Sequence, residues 1–506
     1  MLETARDIIK DNTYFHCMLS NGQIKTAGME SCRLGHQIAR GKDSTPDGIF
    51  VEWNWSGDTL SVRNDRYGMY PAFYFSTSTE FCISTSIFQL IELGAPTALN
   101  WPGLGAFMRC GSFIGTDTVF EHIHALPPAA TLTWENGTLT VHEHYSMPKR
   151  LDISKTEAVD SYIDLFRESM KRRLPDHDEM AMPLSGGRDS RHILFELSRI
   201  GRKPKYCVTG RRFPPDRYED EVVAARLAEA TGVPHVLVGP PEAQVESYIR
   251  SNVKTNMTAP RRGWKFSILE RLQQDIKVSY DGIGGDMLSG GSALKPKRVE
   301  AMQSGDYRQF CSVLFGNQEA IQQTFINPEQ VKRMTDEIVT KRLLRELPKH
   351  ETAVNPTTSF FFWNRTRRFD STNPYGMLRN IETVYSPFLD HDLVDFLLSL
   401  DISFNTGTWF HDEVISKAFP QYRHIPFEKP DSPLTRNRKL TFKSSRDLAR
   451  LCKNESTGYL LRKDFLWKQL AIRLGSLGYS TRGAWLLPKI VYFLVLEHVV
   501  SNDRIR

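Results

Sequence analysis

The stretch SGGRDS, residues 185–190, is a glycine-rich turn between two segments of different periodicity. The apolar-leaning run at 180–184 predicts a buried strand, and RHILFELS after the turn predicts a helix. Gly186 and Gly187 let the backbone approach an anion closely, and the free N–H groups of the helix start point toward it. The turn therefore predicts a phosphate site. It is not a Walker A loop, because no lysine follows the glycines, and on its own it also fits an ordinary strand-to-helix connection.

A second glycine-rich loop, KVSYDGIGGDMLSGG at residues 277–291, follows a short predicted strand at 277–280. In a doubly wound α/β sheet, ligands bind in the crevice outside the carboxyl ends of the strands. Asp189 and Asp286 would reach that crevice from separate strands. Because Mg²⁺ prefers oxygen ligands, we predict that these two carboxylates share the Mg²⁺ that bridges a nucleotide's phosphates.

The periodicity changes near residue 147, which indicates two domains at 1–147 and 148–506. The first part reads as strands separated by polar turns, at 49–55, 60–63, 72–75 and 81–84. The second alternates helices and strands, at 156–174, 206–209, 218–231, 235–238 and 266–274, and becomes mostly helical after about 295. Ser154 provides a helix-start signal just after the boundary. The fold class is therefore α/β, with a β-rich first domain.

The composition is that of a globular enzyme, with 506 residues of which 40% are hydrophobic and 25% charged. No apolar run is long enough to span a membrane, and the first residues lack the features of a secretory signal. We therefore expect a cytoplasmic protein without membrane contact. The seven cysteines show no C-x-x-C spacing, which argues against structural zinc and a disulfide framework.

Positive charge is concentrated near the end of the chain. Residues 421–506 contain 17 Lys and Arg against 7 Asp and Glu, while the whole chain carries a net charge of +6. This region is a candidate surface for an acidic peptide or carrier partner. No nucleic-acid-binding motif accompanies it, so we predict no nucleic-acid partner. Interspersed Leu, Phe and Trp equally fit ordinary helix surfaces.

Four ordered motifs resemble the asparagine synthetase family. They are the two glycine-rich loops, VRNDRYGMYPAFYF at 62–75 with TVFEHIHALPPAATLTWENGTLTVHEHY at 118–145, and TVYSPFLDHDLVDFLLSL at 383–400. The resemblance implies an N-terminal antiparallel β-sandwich of the Ntn-hydrolase type. It also implies a C-terminal PP-loop ATP pyrophosphatase domain with a parallel sheet and a helical extension.

The first domain departs from the glutamine-dependent members of that family. Those members use a cysteine at the mature N-terminus, activated by its own α-amine, whereas Leu2 stands at position 2 here. Cys17 and Cys32 have no adjacent free amine and fit small buried hydrophobic residues. We therefore expect a degenerate domain that releases no ammonia from glutamine.

For the second domain, the resemblance implies an ATP-dependent ligase that adenylates a carboxylate, releases pyrophosphate, and couples the carboxylate to an amine with release of AMP. By resemblance and loop chemistry, the predicted nucleotide-binding residues are Leu184, Ser185, Gly186, Gly187, Asp189, Ser190, Thr209, Gly282 and Gly284, with Mg²⁺ on Asp189 and Asp286. Lys429 matches a lysine of the β-lactam synthetases and is a predicted catalytic cation, although a surface lysine fits equally. Arg188 is a second predicted catalytic cation, placed to pair with pyrophosphate or a substrate carboxylate.

The identity of the amine stays open at this point. Asparagine synthetases place a glutamate, and β-lactam synthetases a tyrosine, where this chain has Ile283, which accepts no proton. The remaining candidate bases are His192, Tyr375, Asp390 and His391, and a well-placed amine needs none. A truncated first domain also resembles lasso peptide cyclases. We expect amide ligation or macrolactam closure in specialised metabolism such as antibiotic biosynthesis. The alternatives are ammonia-dependent amidation and a non-enzymatic nucleotide-binding module.

Overall fold

The N-terminal part consists of two five-stranded antiparallel sheets. The computed structural model describes residues 13–40, 45–214, 219–291, 293–427, 438–455, 458–475 and 481–503. One sheet has the order β2-β1-β7-β6-β8, with β1 Tyr14–Ser20, β2 Gln23–Gly28, β6 Phe73–Ser76, β7 Glu80–Ser84 and β8 His124–Ala125. The other has the order β10-β9-β5-β4-β3, with β3 Ser31–Ile38, β4 Asp47–Trp55, β5 Thr59–Asn64, β9 Ala130–Glu135 and β10 Thr138–Glu143.

The two sheets form a sandwich because alternate side chains of their strands are apolar and face one another. Phe15 of β1 and Phe81 of β7 belong to one buried cluster with Trp53 of β4, Val62 of β5 and Trp134 of β9. Each strand contributes every second residue to this interior, as the two-residue period of a strand requires.

A five-stranded parallel sheet forms the centre of the second part, in the order β13-β12-β11-β14-β15. Its strands are β11 Met180–Pro183, β12 Cys207–Gly210, β13 His235–Val238, β14 Val278–Tyr280 and β15 Thr383–Tyr385. In this order the chain first moves outward from β11 to β13 and then crosses back to β14. The direction of winding therefore reverses between β11 and β14, which is the topological switch point where open α/β sheets bind ligands.

Helices cover this sheet and continue beyond it. The helices around the sheet are Lys155–Arg172, Arg188–Arg199, Glu219–Thr231, Gln244–Lys254, Phe266–Leu272 and Gly285–Ser289. Those that follow are Pro296–Gln303, Tyr307–Phe315, Gln318–Gln323, Pro328–Val331, Asp336–Leu343, Pro356–Phe361, His391–Ser399, Trp409–Ala418, Arg438–Glu455, Lys463–Gly475 and Thr481–Asp503. The helices Ile87–Glu92 and Trp101–Cys110 lie in the N-terminal part. No helix in the described ranges combines the length and apolarity that crossing a membrane requires.

The predicted fold class is confirmed, with an antiparallel N-terminal part, a parallel C-terminal sheet and a helical extension. Ser154 caps the helix Lys155–Arg172 through a reciprocal capping box with Glu157, as its position in the sequence predicts. The boundary at 147 stays a prediction. Apolar residues on both sides of it share one core, since Ile49 and Tyr67 lie in the same buried cluster as the strands β11, β12 and β14.

Candidate functional site

A cavity of about 370 Å³ lies at the carboxyl ends of β11 and β14, at the switch point. Both glycine-rich loops line it, because β11 leads into SGGRDS and β14 leads into the second loop. Eight of the predicted site residues are in its walls: Leu184, Ser185, Asp189, Ser190, Thr209, Gly282, Gly284 and Asp286. The structure therefore brings together two segments that are nearly a hundred positions apart in the chain.

Asp189 is the central acidic group of the cavity. Its Oδ2 accepts a hydrogen bond of 3.2 Å from the backbone N–H of Asp286, which joins the two loops. Its buried Oδ1 has no hydrogen-bond donor among the described residues. Burial, followed by the negative charges of Asp286 and Asp281, raises the pKa of Asp189 well above its ordinary value. The Nδ1 of His411 lies 3.6 Å from Oδ1, but burial lowers the pKa of His411 to about 3, so this histidine is uncharged at neutral pH. A carboxylate in these surroundings fits a cation ligand.

The glycines of the second loop pack directly against Asp189. A Cβ added at Gly282 would lie 2.4 Å from the Cβ of Asp189, and one added at Gly285 would lie 2.4 Å from its Oδ1. Gly284 has a φ of +96°, a conformation that side chains with a Cβ disfavour. These glycines are therefore required by close approach and backbone geometry.

Gly285→Ala is expected to lower the free energy of unfolding by roughly 1 to 3 kcal/mol, since the new methyl group overlaps a carboxylate that has little room to move. It should also weaken any stabilisation by added ATP and Mg²⁺, because Asp189 must shift. Thermal unfolding with and without ATP and Mg²⁺ measures both effects. Gly239→Ala is the matched control, because a Cβ there meets nothing within 4 Å. Equal melting temperatures for the two variants would contradict the packing argument.

The first loop is organised by its own hydroxyl groups. The Ser185 N–H donates to the Oγ of Ser190 over 3.1 Å, and the Gly187 N–H donates to the Oγ of Ser185 over 3.2 Å. The Gly186 N–H donates to the carboxylate of Asp220. A loop N–H that holds an anionic oxygen is the behaviour that phosphate binding requires. Gly186 and Gly187 themselves are not part of the cavity wall among the described residues.

Arg188 forms an ion pair with Asp412, with Nε 2.5 Å from Oδ1, and donates to the Thr408 hydroxyl over 3.1 Å. Its guanidinium also lies over the Phe427 ring, 4.4 Å from the centroid. Asp412 is thus a partner that the sequence did not indicate. Lys429 lies outside the described residues, and the catalytic roles of both cations stay predictions.

Thr209 combines a place in the cavity wall with a structural bond. Its hydroxyl donates to the carbonyl of Leu184 over 2.7 Å, which ties β12 to the end of β11. Its Oγ1 also lies 2.8 Å from Nε2 of His235. The side chain therefore ties together the strand ends that border the cavity.

None of the four candidate bases lines the cavity in the described structure. His192 is buried, with Nδ1 3.2 Å from Nε2 of the buried His411. The Tyr375 hydroxyl donates to Ser386 over 2.6 Å, and burial raises its pKa well above the ordinary value. Asp390 and His391 belong to a buried contact with the N-terminal part, because Asp390 Oδ2 accepts from Arg173 over 2.8 Å and the His391 N–H donates to Asp47 over 3.4 Å.

The cavity lining also carries charged groups that sequence reasoning largely missed, and we call them the charged wall. The cations are Arg212, Arg262, Lys265 and Arg365, and the additional anions are Asp220, Asp281 and Asp370. Arg365 and Asp370 fall in WNRTRRFD at 363–370, and Asp220 falls in RYEDE at 217–221, two segments rich in charged residues. Arg262 and Lys265 follow no strand end, so no local signal places them at the carboxyl edge of the sheet. Asp281 was detectable, since it begins the second glycine-rich loop.

The residues present fit a magnesium nucleotide. The described residues contain no group of three or more His, Cys, Asp or Glu side chains arranged to hold a metal ion alone. Mg²⁺ in nucleotide sites usually takes one or two carboxylates and completes its shell with phosphate oxygens and water. The unpaired Oδ1 of Asp189, with Asp286 in the same cavity, matches that donor set.

The two cysteines nearest the N-terminus are buried, as the sequence predicts. Burial raises the pKa of Cys17 to about 12 and that of Cys32 to about 11, which keeps both thiols protonated and unreactive at neutral pH. Position 2 lies outside the described residues.

Comparison with known proteins adds a family match. Residues 161–426 match the family model described as asparagine synthase. No curated protein matches the chain. Solved structures that are similar to it include glutamine phosphoribosylpyrophosphate amidotransferase from B. subtilis complexed with ADP and GMP, with a TM-score of 0.14, and an allosteric regulatory enzyme of purine biosynthesis, with a TM-score of 0.15. Each is 11% identical over 39% of this chain and 36% of its own chain, and superpositions of this quality establish no shared activity.

Proposed function

The chain belongs to the asparagine synthase family, and from that premise we propose that it is an ATP-dependent carbon–nitrogen ligase that joins a carboxylate to an amine. In the proposed reaction the carboxylate attacks the α-phosphorus of ATP, pyrophosphate leaves, and the amine then displaces AMP. The carboxylate thereby gains a leaving group that it lacks at neutral pH. We place the reaction in specialised metabolite or peptide biosynthesis, as an amide ligase or macrolactam cyclase.

One observation carries the proposal: Asp189 and Asp286 line the same cavity at the switch point of the parallel sheet. Asp189 and Asp286 would hold Mg²⁺ against the phosphates, which offsets charge on the departing pyrophosphate. The hydroxyl groups of Ser185 and Ser190, which line the cavity, would hold the pyrophosphate oxygens. Leu184, Thr209 and Gly282 would border the adenosine.

The boundary between the two parts supports an amine from solution rather than ammonia from glutamine. Arg367 and Arg368 are buried there and donate to backbone carbonyls of the N-terminal part, with Arg368 2.8 Å from the oxygens of both Gly115 and Asp117. The cavity beside these arginines measures about 30 Å³. Together with the buried thiols, this packing supports a first domain that serves as scaffold.

The charged wall supports a substrate that carries both signs of charge, such as an amino acid or a peptide end. Asp370 lies 3.5 Å from Arg262 and 3.8 Å from Arg365. All three residues line the cavity. A carboxylate would pair with the arginines, and an ammonium group with the aspartate. The basic C-terminal region, where Phe442 and Trp467 are exposed, remains our proposed surface for an acidic peptide or carrier.

The purified protein is expected to convert ATP to AMP and pyrophosphate only when a suitable carboxylate is present. The assay supplies ATP, Mg²⁺ and each of the twenty proteinogenic amino acids in turn, and measures both products. Release of ADP and phosphate, or no cleavage with any probe, would contradict the adenylation chemistry and favour the nucleotide-binding module.

Adding ammonium salts or glutamine to the assay distinguishes the possible sources of the amide nitrogen. Ammonium salts that raise AMP formation as strongly as amines do would favour the ammonia-dependent alternative. Glutamine should act only as a carboxylate or amine probe, and its conversion to glutamate coupled to product formation would refute the inactive first domain.

A further inference from the structure

The side chain of Lys265 is a nitrogen group of the cavity that is suited to receive a proton near neutral pH. This residue ends a helical turn at Gly263–Lys265 and immediately precedes the helix Phe266–Leu272. It lines the same cavity as Asp189 and Asp286. None of the sequence motifs includes it.

Lys265 is held by an uncharged partner. Its Nζ donates to Oδ1 of Asn373, whose Nδ2 donates over 2.5 Å to Oδ2 of Asp281. The other oxygen of Asp281 accepts the N–H of Ile283 over 2.9 Å. The lysine is therefore linked through the Asn373 amide to Asp281, the first residue of the second loop after its strand. In the described part of the chain its Nζ takes part in no ion pair.

Four charged groups around Lys265 affect its pKa. The cations Arg262 and Arg212 lower this pKa, and the anions Asp281 and Asp370 raise it. Burial is the largest influence and the two arginines add to it, so the pKa of Lys265 falls to about 7. A lysine in such surroundings is partly uncharged at physiological pH and is able to act as a base. Lys277, which is paired with Glu179, instead has a raised pKa.

We propose that Lys265 is a catalytic residue of this cavity, whose uncharged amine accepts the proton that the incoming amine loses; this inference rests on the proposed function. The lone pair of the attacking nitrogen forms the new C–N bond at the activated carbonyl carbon. The bond from that carbon to the phosphate oxygen of AMP breaks, and its electron pair stays on AMP. The proton shed by the nitrogen moves to Nζ, which becomes an ammonium group and later returns the proton to water.

The test compares Lys265→Arg and Lys265→Gln with the unaltered protein, using two amine probes with the amino-acid carboxylates. Hydroxylamine is uncharged at neutral pH and strongly nucleophilic, so it needs little help from a base. Methylamine is protonated and does need help. Both variants should keep hydroxamate formation near the normal rate and lose methylamide formation by roughly 100-fold or more. Arginine keeps the positive charge but does not release its proton, which separates a base from a fixed cation.

The pH profile of the reaction and direct labelling of the lysines distinguish a catalytic role of Lys265 from a purely structural one. Methylamide formation by the unaltered protein should rise with pH through about 7, the pKa of Lys265, and Lys265→Arg should lack that rise. Labelling with acetic anhydride at increasing pH, read by mass spectrometry, should modify Lys265 with a midpoint near 7 and Lys277 only at alkaline pH. Arg262→Gln should move the Lys265 midpoint upward, since it removes a neighbouring cation.

The possible outcomes are distinct. Normal methylamide formation by Lys265→Arg, or a Lys265 that titrates like Lys277, overturns the role of the lysine and leaves the ligase proposal standing. Failure of the unaltered protein to form AMP with any probe counts against the ligase proposal itself. The labelling result still decides whether Lys265 has the basicity that the inference requires, even if a variant fails to fold.

Discussion

Asp189→Asn should abolish ATP cleavage and at the same time stabilise the folded protein. A metal ligand contributes several kcal/mol to the transition state, so the rate should fall by roughly 10³-fold or more. The buried and unpaired Oδ1 destabilises the ligand-free fold, and an amide removes the repulsion from Asp286 and Asp281. The free energy of unfolding should therefore rise by roughly 1 to 3 kcal/mol.

The pH dependence of this stabilisation follows from the raised pKa of Asp189. In the unfolded chain the carboxyl ionises at its ordinary pKa, whereas in the folded chain it stays protonated to higher pH. The stability that the protonated Asp189 contributes is fully present below the ordinary pKa of an aspartate. It is lost as pH rises through the pKa that Asp189 has in the folded protein. The increase in the free energy of unfolding caused by Asp189→Asn should accordingly be largest at neutral and higher pH and should vanish in acid.

Asp178→Asn is the matched control, because the Asp178 side chain is 97% exposed. It should leave both ATP cleavage and the melting temperature unchanged. Retained ATP cleavage in Asp189→Asn would remove this carboxylate from the metal site. A loss of stability in that variant would contradict the interpretation of its charge.

Arg173→Met should produce a large loss of stability. Arg173 is buried between Asp47 of β4 and Asp390, with Nη2 2.9 Å from one and Nη1 2.8 Å from the other. Removing the arginine leaves two buried carboxylates, and among the described residues Asp47 then keeps two backbone N–H donors and a histidine nearby. Breaking a buried ion pair in this way costs about 3 to 5 kcal/mol.

Urea unfolding of Arg173→Met and of the unaltered protein measures the loss in the free energy of unfolding. Arg33→Met is the control, since Arg33 and Glu52 lie 2.9 Å apart but Arg33 is 66% exposed. An exposed pair contributes at most about 1 kcal/mol. If Arg173→Met unfolds at the same urea concentration as Arg33→Met, the buried ion pairs do not hold β4 to the second part.

The sequence predicted the site's acidic centre because its signals are local. A glycine turn after an apolar run and before a helical period identifies a loop at a strand end, and two such loops meet whenever their strands are neighbours. The strands β11 and β14 are neighbours, as the parallel sheet shows. Strand and helix positions in the second part, such as 235–238 and 266–274, were predicted within a few residues for the same reason.

The charged wall was not predictable in this way. Lys265 and Asn373 are distant in the chain and reach each other only through the packing of helices that carry no motif. Arg188 was placed at the phosphates from its neighbours in sequence, while the structure turns it toward Asp412. Long side chains extend several ångströms from the backbone, so the position of an arginine in a loop does not determine where its charge lies.

The shared core of the two parts bears on how such proteins can be recombined. Ile49 and Tyr67 are interior residues of the same cluster as the parallel sheet, and the Tyr67 ring meets Trp363 at 6.0 Å. Replacing the N-terminal part of this protein by that of a relative with glutaminase activity would leave mismatched apolar surfaces where the two parts share their core. A working chimera therefore has to include both sides of this shared core together.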